Sequence, residues 1–309
     1  MKPKDWATLI SLAAIWGASF LFMRVAAPVL GPVIVAFLRV AIAGGALLVY
    51  AAATRRLPDL RTLGRPFLVL GLLNAAIPYT LFTAAELHLT ASLAAILNAT
   101  TPLFAATVAA VWSRQRLTGG MIGGLVLGFV GVGLLMGWSP LPRSTAFALS
   151  VAACLVASLS YGVATNYAKR ALVGVPPLAS ATGQQIGAAL LLAPIAIPVA
   201  ATGRTDFSPS PHAALAVVAL ALLCTSVAYL LYFRLIESVG AVSTASVTFL
   251  LPVFGILWGG LFLGERIRAG MILGLAVILG SVVLVTGFQP VGRRRFSPSL
   301  RRAITDSHD

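Results

Sequence analysis

Arg39 poses the sharpest chemical question in this chain, because it stands alone in an apolar run, Pro32–Ala52. A charge near the centre of a lipid-buried helix costs about 2.5–3.5 kcal/mol, while each Leu, Ile, Val or Phe neighbour returns only ~0.3–0.6 kcal/mol. Arg39 must therefore find a partner. Either it attracts a carboxylate or other anionic group of a solute, or it pairs with helix carbonyls or with Glu86 at the end of the next run. Pro78, Pro102 and Pro252 lie inside helix-like runs, and each frees the carbonyl four residues earlier. Those carbonyls belong to Asn74, Asn98 and Thr248, all polar. Freed carbonyls at membrane depth are tolerated where they face protein or a watery cavity. The three residues are expected on such a cavity, interhelical hydrogen bonding being the alternative. Trp16, Tyr79, Tyr161, Tyr229, Gln184 and Gln185 bring further polar tips into apolar runs, either lining a path or packing helices. Trp6, Trp112 and Trp138 fall at run ends and read as interface anchors.

Other chemistries find little support. Asp5, Asp59, Glu86, Asp206, Glu237, Glu265, Asp306 and Asp309 fall in loops, run ends or tails. Only Glu86 is placed to reach the interior, as an ion-pair or coupling group. His88 and His212 sit at run ends and His308 in the tail. No pairing of carboxylates, metal-ligand cluster or Ser-His constellation falls within the runs, so no metal, no other cofactor and no enzymatic activity are expected. Cys154 and Cys224 lie in apolar runs without ligand spacing and read as small hydrophobes.

The elements that position these residues are membrane helices. Of 309 residues, 59% are hydrophobic and only 10% charged, against about 25% charged in a soluble domain. Ten runs are long enough for a bilayer core, which needs ~20 residues per helix: Trp6–Val25, Pro32–Ala52, Arg65–Ala85, Ala91–Trp112, Gly119–Gly137, Thr145–Tyr167, Leu178–Ala200, His212–Phe233, Ala241–Leu263 and Ala269–Thr286. The apolar N-terminal stretch exceeds the ~7–15 residues of a signal peptide's core and reads as an uncleaved first span. The formal charge of +14 comes from short basic clusters between runs, which favours topology control over nucleic-acid binding. With the N-terminus inside, sixteen of the 22 basic residues fall on the inner side and five on the outer. Both termini are therefore expected in the cytoplasm, with a polar, basic tail over 289–309.

The chain also repeats itself. At an offset of 150, Pro102/Pro252, Phe104/Phe254, Arg116/Arg266, Gly120/Gly270, Met121/Met271, Ile122/Ile272, Gly124/Gly274 and Leu125/Leu275 are identical pairs, which indicates an internal duplication. Earlier spans align at an offset of 145, placing Gly17 on Gly162, Pro32 on Pro177 and Arg39 on Gln184, while Tyr79 and Tyr229 keep the 150 offset. Five spans per copy is an odd number, so the second copy enters the membrane from the opposite side. The fold expected is an all-α integral membrane protein of ten transmembrane helices, built as two inverted five-helix repeats over 6–138 and 145–288. Inverted repeats with interrupted helices are a construction of secondary transporters, with substrate bound near the midplane between halves. Glycines at Gly120, Gly124 and Gly128, and at Gly270 and Gly274, allow close helix approach, within one chain in preference to a dimer seam.

Trp16-Gly17-Ala18-Ser19-Phe20, Phe37-x-Arg39, Pro102, and Pro252 followed by Gly264-Glu265-Arg266 resemble the EamA-type transporters of the drug/metabolite transporter superfamily, over about residues 6–288. The resemblance implies a ten-helix carrier with a central cavity that exports amino acids, metabolites or drugs. The first-copy turn departs from the pattern, with Arg114-Gln115-Arg116. The family's small multidrug relatives use a glutamate in span one for cations; this span has none, so neutral, zwitterionic or anionic solutes fit better. The resulting expectation is a multi-pass carrier of the inner (plasma) membrane, with the lipid bilayer and a small molecule as partners, monomeric or homodimeric. It would export small amino-acid-like or other polar solutes by alternating access. An importer or nonspecific facilitator, or a channel or scramblase, are the alternatives.

Overall fold

A computed structural model describes residues 1–114, 118–138, 144–202 and 210–286. Gln115, Arg116, Arg143, Arg204 and the basic tail from 289 lie outside the described residues. Within them the chain is a bundle of apolar helices, as lipid requires when no water is present to satisfy backbone groups. We number the spans α1 (Pro3–Leu30), α2 (Pro32–Ala53), α3 (Leu60–Ala85), α4 (Ala91–Trp112), α5 (Gly119–Trp138), α6 (Thr145–Ala171), α7 (Pro177–Ala201), α8 (Pro211–Gly240), α9 (Val247–Leu263, after a helical turn at 241–244) and α10 (Ala269–Thr286). The ten expected spans are all present, several longer by a turn. α8 runs on to Gly240, where φ of 82° ends it, and α9 correspondingly starts at Val247 and not at the expected Ala241.

Short connections carry the local signals. Asp59, Thr90, Ser144 and Ser210 each accept a backbone N–H at the start of a span, the role for which short polar side chains are favoured. Gly264 closes α9 in the left-handed region at φ 64°, and its repeat mate Arg114 adopts φ 52° at the end of α4. The duplicated hairpin thus keeps its turn even where the glycine is missing.

Packing repeats with the same symmetry. α1 packs on α9 and α8, and its mate α6 packs on α4 and α3; α2 pairs with α7, α4 with α9, and α5 with α10. These dominant pairings join the two halves, so neither copy buries its apolar surface alone. At the α1–α9 crossing, a Cβ on Gly17 would lie 2.7 Å from Phe254 Cβ. At the mate crossing, one on Gly162 would lie 2.8 Å from Ala105 N and 2.9 Å from Phe104 C. The α5 and α10 glycine faces are spent inside the chain: Gly124 meets Ser281 and Val285, Gly128 meets Leu103 and Ser281, and Gly274 meets Leu135.

Candidate functional site

Two spans contain a wide helical turn, and the turns are repeat mates: Leu72–Ala76 in α3 and Leu222–Val227 in α8. Such turns insert a residue, leave carbonyls without their helical partner and recur at functional sites. Hydroxyls take up the slack. Ser160 of α6 donates to Leu73 O at 2.6 Å, Thr225 donates to Leu220 O at 2.9 Å, and Ser226 to Ala221 O at 3.2 Å. The carbonyls disturbed near Pro78 and Pro102 are thus placed differently from the simple four-residue rule. Around Pro78 the satisfied carbonyl is Leu73. In α4 the helix stops at Asn98 and restarts at Thr101 with Pro102 in its first turn, and Leu97 O accepts from Thr100 and Ser158 at 2.7 and 3.4 Å.

The wide turns carry the centre of the site. Arg39 of α2 is 5% exposed. Its Nε donates to Thr225 Oγ1 of the α8 turn at 3.0 Å, its Nη1 approaches Met23 Sδ at 3.8 Å, and its Cζ lies 3.7 Å from the centre of the Tyr79 ring. The mate of Arg39 is Gln184 of α7. Gln184 Oε1 accepts from Asn74 of the α3 turn at 2.9 Å, and its Nε2 donates to the Tyr229 hydroxyl at 2.5 Å. Asn74 also reaches that hydroxyl at 3.4 Å. Each half therefore sets one polar residue of its second span against the wide turn of the other half and a tyrosine. Arg39 meets Tyr79, and Gln184 meets Tyr229. The layer is duplicated in geometry and unequal in charge.

Aromatic pairs flank this layer with the same symmetry. Trp16 lies 5.4 Å from Tyr232, and their mates Tyr161 and Phe82 are stacked at 6.2 Å. Tyr161 also packs on the cluster that holds Tyr79. The structure thus brings Arg39, Asn74, Tyr79, Gln184 and Tyr229 into direct contact, with Tyr161 alongside. Asn98 and Thr248 sit apart at the breaks of α4 and α9 and bond locally, Asn98 Oδ1 to Thr101 at 3.3 Å and Thr248 to Ala245 O at 2.8 Å. Gln185 is fully buried, with neither amide atom hydrogen-bonded among the described residues, and its backbone lies against Gly44 of α2. Thr225 and Met23 are additions to the expected set. A partial signal for Thr225 was available: at the 150 offset Asn74 falls on Cys224, and the hydroxyl residues Thr225 and Ser226 follow it directly.

No carboxylate comes within ion-pair distance of Arg39 among the described residues; its contacts are all neutral. Glu86, at the end of α3, is fully buried, and neither carboxylate oxygen has a hydrogen-bond partner among the described residues. Arg24 of α1 donates instead to the Glu86 backbone carbonyl. On the same face, opposite the N-terminus, Glu265 caps the start of α4: it accepts from Ala91 N at 2.7 Å, Ser92 N at 3.0 Å and Ser92 Oγ at 2.5 Å. Gly259 leaves the space for that carboxylate. The N-terminal face instead carries a cleft of about 300 Å³ between α1 and α8, lined by Lys4, Asp5, Thr8, Arg234, Leu235 and Ser238.

A ten-helix bundle whose inverted halves share one buried polar layer defines a membrane transporter assembled from a duplicated unit. The chain belongs to the EamA-like transporter family, which it matches twice, over residues 6–137 and 148–287. It is 29% identical over 283 residues to the uncharacterized inner membrane transporter YedA of Escherichia coli strain K12, covering 91% of this chain and 90% of YedA. It is 25% identical to the "Probable terminal-alkyne amino-acid exporter" of Streptantibioticus cattleyicolor, covering 94% and 95% of the two chains. A crystal structure of a protein 21% identical superposes with a TM-score of 0.60 over 91% of this chain and 96% of the other, and shares the fold. The protein is accordingly a multi-pass transporter of the inner membrane.

Proposed function

We propose that this transporter is a secondary carrier that exports small amino-acid-like metabolites by alternating access, with both termini in the cytoplasm and Arg39 holding the substrate carboxylate. The observation that carries this is the isolation of Arg39. A buried charge without a counter-ion costs several kcal/mol, and the neutral contacts of Arg39 offset that only in part. A carboxylate on its guanidinium supplies the missing charge in the two-bond geometry for which Arg is suited. Gln184, Asn74 and Tyr229 offer the neutral donors and acceptors across the layer that a polar solute needs for orientation. The sidedness of the basic residues supports cytoplasmic termini. Export rather than import follows the relative named as an amino-acid exporter.

The test is transport in proteoliposomes, with amounts of inserted protein measured in parallel. Arg39→Gln is expected to lose at least nine-tenths of exchange for carboxylate-bearing solutes at unchanged abundance. Arg39→Lys is expected to rescue little, because an ammonium supplies neither the planar face over Tyr79 nor the Nε bond to Thr225. Normal transport by Arg39→Gln sinks the anchor. Counterflow separates a carrier from a channel, since only a carrier shows trans-stimulation.

A further inference from the structure

Glu86 has no role in the anchor just described, yet it is the most conspicuous unused group in the molecule. It follows the last residue of α3, is fully buried, and leaves both carboxylate oxygens without a hydrogen bond among the described residues. An ionised carboxylate so placed would be very costly to bury. Two arginines lie near enough to act on it, Arg24 from α1 and Arg39 from α2, but neither pairs with its side chain. Glu265, between α9 and α10, and the Cys154 thiol of α6 face it as well; His88, two residues on, is exposed. Burial holds the Glu86 carboxyl well above the usual carboxylate range; Glu265 adds to the effect and the two arginines oppose it. The surroundings of the side chain thus favour its neutral, protonated form.

We propose that Glu86 is a proton-binding site linked to occupancy of Arg39, so that a carboxylate solute and a proton cross together as the neutral acid. The linkage rests on Arg39 being the substrate anchor and uses only groups already in place. With Arg39 unoccupied, its positive charge favours ionised Glu86. A carboxylate bound to Arg39 cancels that charge and adds a negative one, so the affinity of Glu86 for a proton rises. Reciprocity then requires that a protonated Glu86 strengthen anion binding by the same factor. The proton enters from the aqueous side to which the layer is open and leaves on the other. With a monoanion such as N-acetylleucine no net charge moves, with a zwitterion such as leucine one positive charge moves, and in either case a metabolite accumulated in the cell drives its own exit.

The linkage can be tested without knowing the substrate, on the full chain in lipid, by infrared titration of carboxylic-acid C=O stretches. A neutral-acid band at neutral pH is expected in the wild-type protein and lost in Glu86→Gln. Arg39→Gln, which removes the positive charge as a bound anion would, is expected to move the midpoint of that band up by about one pH unit or more. An unchanged band in Glu86→Gln, or an unmoved or lowered midpoint in Arg39→Gln, overturns the proposal. A second arm follows trapped pyranine during uptake of N-acetylleucine and of leucine into proteoliposomes. Acidification with uptake, lost in Glu86→Gln, supports it, and alkalinisation overturns it. Uptake of neither probe overturns the reading of Arg39 as a carboxylate anchor, while the infrared midpoint still decides Glu86.

Discussion

At the scale of single residues, the Tyr79 ring supplies part of what a counter-ion would supply to Arg39. Its face lies 3.7 Å from the guanidinium carbon, and a cation over an aromatic face is worth about 2 kcal/mol or more when desolvated. Tyr79→Phe keeps that face and is expected to transport within a few-fold of wild type. Tyr79→Leu removes it and is expected to cut transport about thirtyfold, the rate equivalent of ~2 kcal/mol; equal activity of the two variants would show that the ring holds nothing. Arg39 was legible in the sequence, because one charge in an apolar run cannot be overlooked. Its partners were not. Thr225 is 186 positions away, and the alternative partner expected at the end of span three, Glu86, makes no hydrogen bond with its carboxylate among the described residues. Asn74, Tyr79, Gln184 and Tyr229 were each visible as polar tips in apolar runs, but their meeting depends on how the two halves interlock.

At the scale of elements, the duplicated crossings of α1 on α9 and α6 on α4 set the distance between the halves. Gly17 and Gly162 occupy the two crossings, each with no room for a methyl group. Gly17→Ala and Gly162→Ala are each expected to lower the melting temperature in detergent, since overpacking a tight contact costs about 1–3 kcal/mol. Gly45→Ala on α2, where nothing lies within 4 Å, is the control and is expected to leave it unchanged or raise it. Comparable losses at all three positions would show that helix flexibility, and not the crossing, is at stake. Helix ends and the repeat were readable from caps, glycines and the 150 offset. The wide turns were not, because their register is fixed by hydroxyls, one of them from another span: Ser160 on Leu73 O, and Thr225 and Ser226 within α8. Proline marked the disturbances of α3 and α4 but not that of α8, where the mate of Pro78 is Ala228, and hydroxyl contacts chose the form of both wide turns.

At the scale of the whole molecule, inversion makes the two faces counterparts, and the chain then makes them differ. The odd span count showed the inversion in advance; the ties across one face came only with the contacts between halves. Glu265, from the second copy, ties the face opposite the N-terminus to the start of α4 in the first through three hydrogen bonds. Arg24 adds a second tie through the Glu86 carbonyl. In the first copy the position of Glu265 is taken by Gln115, and that of Ser92 by Val242 in the second, so the sequence provides the carboxylate and hydroxyl of this clasp in one of the two arrangements only. Under the alternating access proposed above, the clasp has to open once per cycle, and interactions made in only one state set the balance between states. Hydrogen bonds to a charged group contribute about 1.5–3 kcal/mol each, so losing even one shifts that balance roughly ten- to a hundredfold. Cys224, buried in the wide turn of α8 beside Arg39, reports on this natively. In a Cys154→Ala background, Glu265→Ala is expected to raise the rate at which a membrane-impermeant thiol reagent added to that face modifies Cys224 by at least tenfold. Glu265→Gln, which keeps one acceptor oxygen for Ser92 or the α4 N–H groups, is expected to fall between the two. If the labelling rate does not move, Glu265 is a helix cap and the closure of that face lies elsewhere.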